Sequence, residues 1–197
     1  MTVEIRRASG ALLKPYLPEV ASLRIRVFRE YPYLYDGSED YERRYLQKFA
    51  RSERAVAVLA IDTAAADGQQ VVGVSTGLPL RDADAAFHEP FGAAGIDSDQ
   101  VFYCAESVLL PAYRGRGLYR AFFAGREAHA ADLGCFNLMT FCAVVRPPEH
   151  PLCPVGYRPL DPTWRRLGYQ PHQDLIAHYN WKDIDRGKRL ATQCCSG

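Results

Sequence analysis

Residues 106–120 read Glu-Ser-Val-Leu-Leu-Pro-Ala-Tyr-Arg-Gly-Arg-Gly-Leu-Tyr-Arg. The apolar run before Pro111 predicts a buried strand, and the residues after Gly117 repeat with helical periodicity. Two glycines in the turn between them let a ligand approach the backbone closely. The first N–H groups of the following helix have no partner inside the helix, and the helix dipole adds partial positive charge there. The segment is therefore predicted to cradle an anion, and a pyrophosphate fits it best.

The turn does not match the common nucleotide-binding motifs. It lacks the Lys-Ser or Lys-Thr pair of a Walker loop, and it is not GxGxxG. A Gly-Arg-Gly turn alone is also typical of strand-to-helix connections that bind nothing. The charges of Arg114 and Arg116, together with the upstream carboxylate of Glu106, favour a functional site.

Hydrophobic periodicity predicts further elements on both sides of this segment. We expect strands over 2–7, 55–61, 70–79, 101–110, 136–145 and 174–181, and helices over 18–29, 39–51, 118–133 and 161–167. Ser38 is a predicted N-cap, and Gly134 is predicted to end its helix. Residues 81–100 show little periodicity, so we expect a loop inserted over the core, which is a candidate lid. The element order predicts a mixed sheet with helices on both faces.

The turn resembles motif A of the GNAT superfamily of acetyl-coenzyme A dependent N-acetyltransferases. That motif has Gln or Arg, two further residues, Gly, one residue, and then Gly or Ala. Arg114, Gly117 and Leu118 follow it, whereas Tyr119 stands at its last small position. The order of elements over residues 2–181 is also similar to this family. The resemblance implies a GNAT-like α/β fold with a mostly antiparallel central sheet, in a single domain over 1–185 with a C-terminal tail over 186–197.

The resemblance also implies how acetyl-CoA is held. Backbone amides from residues 116–119 are expected to bind the pyrophosphate, and backbone groups near the end of the preceding strand are expected to hold the pantetheine arm. The residues expected to bind the cofactor are Val108, Leu109, Arg114, Gly115, Arg116, Gly117, Leu118 and Tyr119.

Glu106 is the predicted general base. Strict alternation would place it on one strand face with Cys104, Val108 and Leu110, among apolar neighbours that favour proton uptake from an incoming amine. GNAT enzymes often carry an acidic residue on this strand. The alternative is a structural ion pair of Glu106 with Arg81 or Arg146.

The proton donor to the departing thiolate is less clear from the sequence. Many GNAT members use a tyrosine four residues before a Gly-aromatic pair. Gly168-Tyr169 matches the pair, but Trp164 stands at the tyrosine position. We predict Tyr157 as the substitute, with Tyr113, Cys142 or solvent as alternatives.

Two segments are candidates for binding the acceptor. Tyr31 and Tyr33, in the aromatic run after the first helix, are predicted to form a wall around an amine, although packing of a helix end explains them too. Arg146 opens a proline-rich loop and is predicted to bind a carboxylate on the acceptor. Alternatively, Arg146 pairs with Glu106 or with a main-chain carbonyl.

Composition excludes several classes of protein. The chain has 197 residues, with 24 Lys and Arg against 23 Asp and Glu, and this balance argues against nucleic acid or an anionic membrane as a partner. The six cysteines show no zinc-ligand spacing, so no metal is expected. No apolar run is long enough to span a bilayer, and we expect a cytoplasmic protein. Dimers are frequent among GNAT proteins, so a homodimer is compatible with the resemblance.

These features together predict an N-acetyltransferase. It would transfer acetyl from acetyl-CoA to the amine of a small molecule, directly and in a ternary complex. One alternative is an acyltransferase like the acyl-homoserine-lactone synthases, because Leu23–Arg29 faintly resembles the early segment of that family. Another is a non-catalytic coenzyme A sensor, which Tyr119 and Trp164 favour.

Overall fold

A computed structural model describes residues 2–65, 68–184 and 190–196. Within these residues, seven strands form one sheet in the order β1-β2-β3-β4-β5-β7-β6. All neighbours are antiparallel except β4 and β5, which are parallel. The strands are β1 (Val3–Ser9), β2 (Val56–Asp62), β3 (Gln70–Pro79), β4 (Val101–Leu109), β5 (Leu138–Val144), β6 (Gln170–Tyr179) and β7 (Leu190–Ser196). The predicted mixed, mostly antiparallel sheet is confirmed.

Helices cover both faces of this sheet. They are α1 (Leu17–Phe28), α2 (Glu39–Arg51), α3 (Ala85–Ala93), α4 (Leu118–Leu133) and α5 (Asp161–Arg166). Helix α1 packs on β3, β4 and α2, whereas α4 packs on β2, β3 and β4. Every residue of β2 is buried, as expected for a strand that is covered on both sides.

Local signals in the sequence account for the helix ends. The Ser38 hydroxyl accepts a hydrogen bond from the Tyr41 N–H at 3.4 Å, so Ser38 caps α2 as predicted. Gly134 adopts a positive φ of 67° directly after α4, a conformation that glycine allows without steric cost.

Two predictions about the elements are wrong. Residues 81–100 are not an irregular loop, because they contain α3, whose buried Phe87 and Phe91 pack the helix toward β6. Pro90 and Gly92 conceal this i, i+4 pair in the sequence. The expected tail over 186–197 contains β7, which pairs with β5 on one side and β6 on the other. Backbone hydrogen bonds to both neighbours hold β7, so its sequence does not need the alternating apolar pattern from which a strand would be predicted.

No helix among the described residues is long and apolar enough to cross a membrane.

Candidate active site

Glu106 lies at a bulge in β4. Cys104 pairs with Gly77 and Glu106 pairs with Thr76, so Ala105 is an extra residue and the register shifts there. The shift breaks the predicted alternation, and Cys104 does not share a face with Glu106. The Glu106 side chain points toward α1 and is buried, with only 4% of the residue exposed. The next residue, Ser107, contacts Arg126 of α4 on the opposite face.

Beyond this bulge β4 and β5 separate. Their parallel pairing covers Val101–Tyr103 and Leu138–Thr140 in the part of the chain that the structure describes, although β4 continues to Leu109 and β5 to Val144. The gap between the two strands opens toward the start of α4. Val108 and Leu109, predicted to hold the cofactor arm, lie on β4 along this gap and are buried.

The glycine turn lies between β4 and α4. Gly115 and Gly117 have φ of +76° and +78°, and a Cβ built on either would meet nothing within 4 Å. The turn is therefore open to a ligand. Helix α4 begins at Leu118, so its first N–H groups face the turn, as the sequence predicts.

The two arginines of this turn bind protein groups. The Arg114 guanidinium lies 2.9 Å from the Glu30 carboxylate and donates a second hydrogen bond to the Leu109 carbonyl at 3.2 Å. Arg116 donates to the Ala112 carbonyl at 3.0 Å and lies over the Tyr113 ring. An anion at the turn would therefore be held first by backbone N–H groups.

Glu106 has two partners on one carboxylate oxygen. Arg24 of α1 lies 2.7 Å from Oε2, and the Tyr45 hydroxyl of α2 donates to the same atom at 3.0 Å. Arg24 also contacts Glu42 at 2.5 Å, and Glu42 accepts from the Tyr35 hydroxyl at 2.8 Å. The ion-pair alternative is thus correct in kind, but neither predicted partner is involved, because Arg81 pairs with Asp99 and Arg146 with Asp183.

Electrostatics keep these partners in their usual protonation states. Burial lowers the pKa of Arg24, but Glu106, Tyr45 and Glu42 outweigh it and raise this pKa well above its ordinary value. Burial, reinforced by Glu106, raises the pKa of Tyr45. Arg24 therefore stays a cation and Tyr45 stays a hydrogen-bond donor at neutral pH.

Glu106 borders a cavity between α1, α2 and the sheet, in which the centres of water-sized molecules can occupy about 70 Å³. Its wall is mainly aromatic. The lining residues are Arg24, Phe28, Tyr33, Tyr35, Tyr41, Tyr45, Phe87, Tyr103, Ala105, Glu106, Cys142, Val144, Tyr179 and Trp181.

The predicted acceptor residues separate in the structure. Tyr33 lines the cavity, as expected for a wall residue. Tyr31 instead packs against Tyr157 and His150, with ring centroids 4.7 and 5.9 Å away. Arg146 donates to the Pro32 and Tyr33 carbonyls at 2.7 Å each and pairs with Asp183 at the same distance. It is 4% exposed and holds the loop, as the chain-carbonyl alternative expected, and an acceptor carboxylate would have to compete with these partners.

Tyr157 and Tyr119 lie in different surroundings. Tyr157 is 37% exposed and packs edge-on against Tyr31, outside the cavity wall. Tyr119 points inward, packs against Phe123 with the two rings tilted, and accepts a 2.7 Å hydrogen bond from the Trp164 indole. Burial raises the pKa of Tyr119, which therefore keeps its proton at neutral pH.

Sequence reasoning missed Arg24 and Tyr45, which bind Glu106, and Glu42, which binds Arg24. A signal existed, because Arg24 lies one turn from both Val20 and Phe28 on the apolar side of α1, and a charge at such a position needs a buried partner. Nothing local identified Phe87 or Tyr179 as cavity residues, since α3 and β6 meet only in the tertiary structure.

No cluster of three or more His, Cys, Asp or Glu side chains suited to a metal ion occurs among the described residues. His129 of α4 contacts the Arg54 carbonyl at 2.9 Å.

The chain has the fold of the GNAT acetyltransferases. It matches no protein-family model, and a search of curated protein sequences gives no match. Among solved structures, it is similar to NAA60 of Arabidopsis thaliana in complex with acetyl-CoA, with a TM-score of 0.64 at 10% identity over 100% of this chain and 98% of that one. It is also similar to the ribosomal-protein-alanine N-acetyltransferase of Brucella melitensis (TM-score 0.61, 14% identity, 98% of each chain). A GNAT-family acetyltransferase of Streptococcus pneumoniae has a TM-score of 0.59 at 13% identity over 100% of this chain and 99% of that one.

Proposed function

We propose that the protein is an N-acetyltransferase that transfers acetyl from acetyl-CoA to the amine of a small molecule. One observation carries this proposal. The buried carboxylate of Glu106 lies at the β4 bulge, where the aromatic cavity meets the gap between β4 and β5. An acceptor in the cavity and a donor in the gap would meet beside a proton acceptor.

The residues along the gap suit acetyl-CoA. The turn over Arg114 to Gly117 offers space above two glycines and the N–H groups at the start of α4, which suit a pyrophosphate. Edge groups of β4 near Val108 and Leu109 would hold the pantetheine arm, because β5 does not pair with this part of the strand in the described structure. Acetyl-CoA would supply a thioester carbonyl carbon. The similar NAA60 structure contains acetyl-CoA, which supports the same donor here.

The chemistry needs one proton acceptor and one proton donor. An amine enters mainly as an ammonium ion, so its nitrogen must lose a proton before it can attack. Glu106 takes that proton and a nitrogen–carbon bond forms. The nitrogen then loses a second proton to solvent, and the carbon–sulfur bond breaks with its electron pair on sulfur. A proton delivered to sulfur then completes the coenzyme A thiol.

Two tyrosines are candidates for the proton donor. Tyr157 was predicted from the sequence, but it packs against Tyr31 outside the cavity wall. Tyr119 lies at the start of α4, where the gap ends, and Trp164 fixes its hydroxyl. Because an indole can only donate, the Tyr119 oxygen accepts and its own proton points elsewhere. This geometry favours Tyr119.

Direct transfer in a ternary complex follows from the same arrangement. Cavity and gap lie on either side of one bulge, so both substrates would be bound together. Initial velocities measured against both substrates should give intersecting double-reciprocal lines. Parallel lines would indicate a covalent acetyl-protein and would overturn direct transfer.

The first experiment is a thermal unfolding titration with acetyl-CoA, with coenzyme A and ATP as comparators. A ligand at about 100 times its dissociation constant should stabilise the fold by about 2.7 kcal/mol. A saturable shift with the two coenzyme A ligands and none with ATP supports the donor site, and release of free thiol with a panel of amines then tests transfer. No shift with either coenzyme A ligand would overturn the proposal.

A non-catalytic coenzyme A sensor is the second candidate. The ion pair of Glu106 with Arg24 favours it, because a buried carboxylate with a cationic partner can be purely structural. A sensor would bind acetyl-CoA and release no thiol with any amine. The acyl-homoserine-lactone alternative rested on Leu23–Arg29, which form the C-terminal part of α1 and its C-cap. That alternative requires transfer of a longer acyl chain from an acyl carrier protein and release of a lactone.

A further inference from the structure

We propose that the cavity beside Glu106 selects an amine with one positive charge, carried on a flat aromatic body and bearing no carboxylate. This inference rests on the proposed function, since it names the acceptor class for that transfer. Its support comes from charge balance, from one buried oxygen atom and from the wall of the cavity.

The charged cluster at the cavity has more anions than cations. We define it as Arg24, Lys48, Glu42, Asp84 and Glu106, which contact one another directly or through Tyr45 and Tyr179. With the usual charges it holds two cations and three anions, so its formal charge is −1. Lys48 and the half-exposed Asp84 neutralise each other, so the excess anion belongs to the buried group Arg24, Glu42 and Glu106. A buried charge without a counterion is costly, and a singly charged ammonium ion would balance it.

One buried oxygen of this cluster, Oε1 of Glu106, has no hydrogen-bond donor among the described residues. Arg24 and Tyr45 both bind Oε2 of Glu106, whereas Oε1 is buried and has no partner among the described residues. A buried carboxylate oxygen normally accepts at least one hydrogen bond. An ammonium N–H donated to Oε1 would supply both the hydrogen bond and the missing charge, and it would bring the proton of the acceptor to the base.

The rest of the cavity favours a flat body. Six rings follow one another around the wall, with neighbouring centroids 4.2 to 6.4 Å apart. They come from α1, the loop after it, α3, β4 and the end of β6. In order they are Phe28, Tyr33, Trp181, Tyr179, Phe87 and Tyr103. The rings of this wall can stack on an aromatic ligand, and their faces attract a cation.

Two other acceptor classes fit poorly. A carboxylate on the acceptor would need a cation, but Arg24 is held by Glu42 and Glu106, and Arg146 is held by Asp183 and two carbonyls. A polyamine or aminoglycoside would need several carboxylates, whereas the charged cluster lacks only one positive charge. A single amine on an aromatic frame satisfies the cavity best.

Isothermal titration calorimetry with the full chain, without acetyl-CoA, tests the inference. The probes are 2-phenylethylamine, its neutral analogue 2-phenylethanol, the anion 3-phenylpropanoate and the polyamine spermidine. We expect 2-phenylethylamine to bind at least about tenfold more tightly than each of the others. Equal binding of the alcohol, or tighter binding of the anion or the polyamine, would overturn the inference.

Two variants of the charged cluster should shift this preference in opposite directions. Glu42→Gln removes one anion and leaves Glu106 in place, so the amine should lose about tenfold in affinity while the alcohol is unchanged. Lys48→Met removes a cation, so the amine should gain affinity by about threefold. Asp132→Asn, at an exposed pair with Arg7, is the control for the same loss of charge and should have no effect. If Glu42→Gln does not fold, Lys48→Met still decides the question, and unchanged amine affinity in it would count against the inference.

The two proposals fail separately. Amine-selective binding without any stabilisation by acetyl-CoA would keep this site and overturn the acetyltransferase proposal. Acetyl-CoA binding with thiol release, but without preference for the amine over its neutral analogue, would overturn the acceptor class alone.

Discussion

The indole N–H of Trp164 donates a 2.7 Å hydrogen bond to the hydroxyl oxygen of Tyr119. These residues are the two departures from the GNAT pattern, one in α5 and one at the start of α4, and the fold brings them into contact. Phe141 of β5 packs against Trp164, and Phe123 of α4 packs against Tyr119. The Tyr119 hydroxyl thus lies beside α5, where the family pattern has a tyrosine, although Tyr119 itself belongs to α4.

Tyr119→Phe tests this hydroxyl as the proton donor to sulfur. The change keeps the ring against Phe123 and removes only the hydroxyl. We expect kcat to fall by about 10²-fold, the lower end of general acid effects, with acetyl-CoA affinity nearly unchanged. Tyr157→Phe, at the exposed tyrosine outside the cavity wall, is the matched control and should retain activity. The reverse result, with Tyr157→Phe impaired and Tyr119→Phe active, would restore Tyr157 as the donor.

Glu106→Gln separates an enzyme from a sensor. Glutamine keeps the size of the side chain and a hydrogen-bond acceptor for Tyr45, but it cannot take a proton from an amine. We expect thiol release to fall by about 10²- to 10⁴-fold while the thermal shift with acetyl-CoA persists. Asp99→Asn, which breaks an exposed pair with Arg81, is the charge-matched control. Full activity in Glu106→Gln would mean that the carboxylate serves only its pair with Arg24.

Gly117→Ala tests the glycine turn as the pyrophosphate site. The φ of +78° at Gly117 costs an L-residue roughly 1–2 kcal/mol, and a methyl group here would point into the space that a phosphate needs. Gly134→Ala imposes similar strain at a φ of +67° at the other end of α4, far from the turn. Both variants should lose stability, but only Gly117→Ala should weaken acetyl-CoA binding, measured by titration calorimetry. Equal weakening in both would assign the effect to α4 stability.

The sequence predicted those parts of the fold that depend on local pattern. The cap at Ser38, the end of α4 at Gly134 and the strand-turn-helix around Gly117 each follow from residue types a few positions apart. Helix α3 and strand β7 escaped prediction because they are held by distant partners, β6 in one case and β5 with β6 in the other.

The same distinction applies to the candidate site. Glu106 and the glycine turn lie in one short segment, so their roles could be inferred together. The bulge at Ala105 could not, because it depends on the register with Gly77 of β3, and a shift by one residue reverses which side chains share a face. Arg24 and Glu42 come from two other helices, and only tertiary packing brings them to Glu106.

Tyr113→Phe tests how the turn is anchored to the sheet. The Tyr113 hydroxyl donates to Asp62 at the end of β2 at 2.7 Å, and this bond, followed by the Ala64 N–H, lowers the pKa of Asp62 below 3.8. A lowered folded-state pKa gives stability that is fully present above the unfolded value and is lost as pH falls through the folded value. The urea midpoint of Tyr113→Phe should therefore lie below that of the parent at pH 7, and the difference should shrink below about pH 4. Tyr16→Phe is the control, because Tyr16 accepts from Arg6 and not from a carboxylic acid, so any pH dependence it shows through the exposed Arg6–Glu4 pair sets the background. A pH-independent difference for Tyr113→Phe as well would show that the hydrogen bond does not depend on the Asp62 charge.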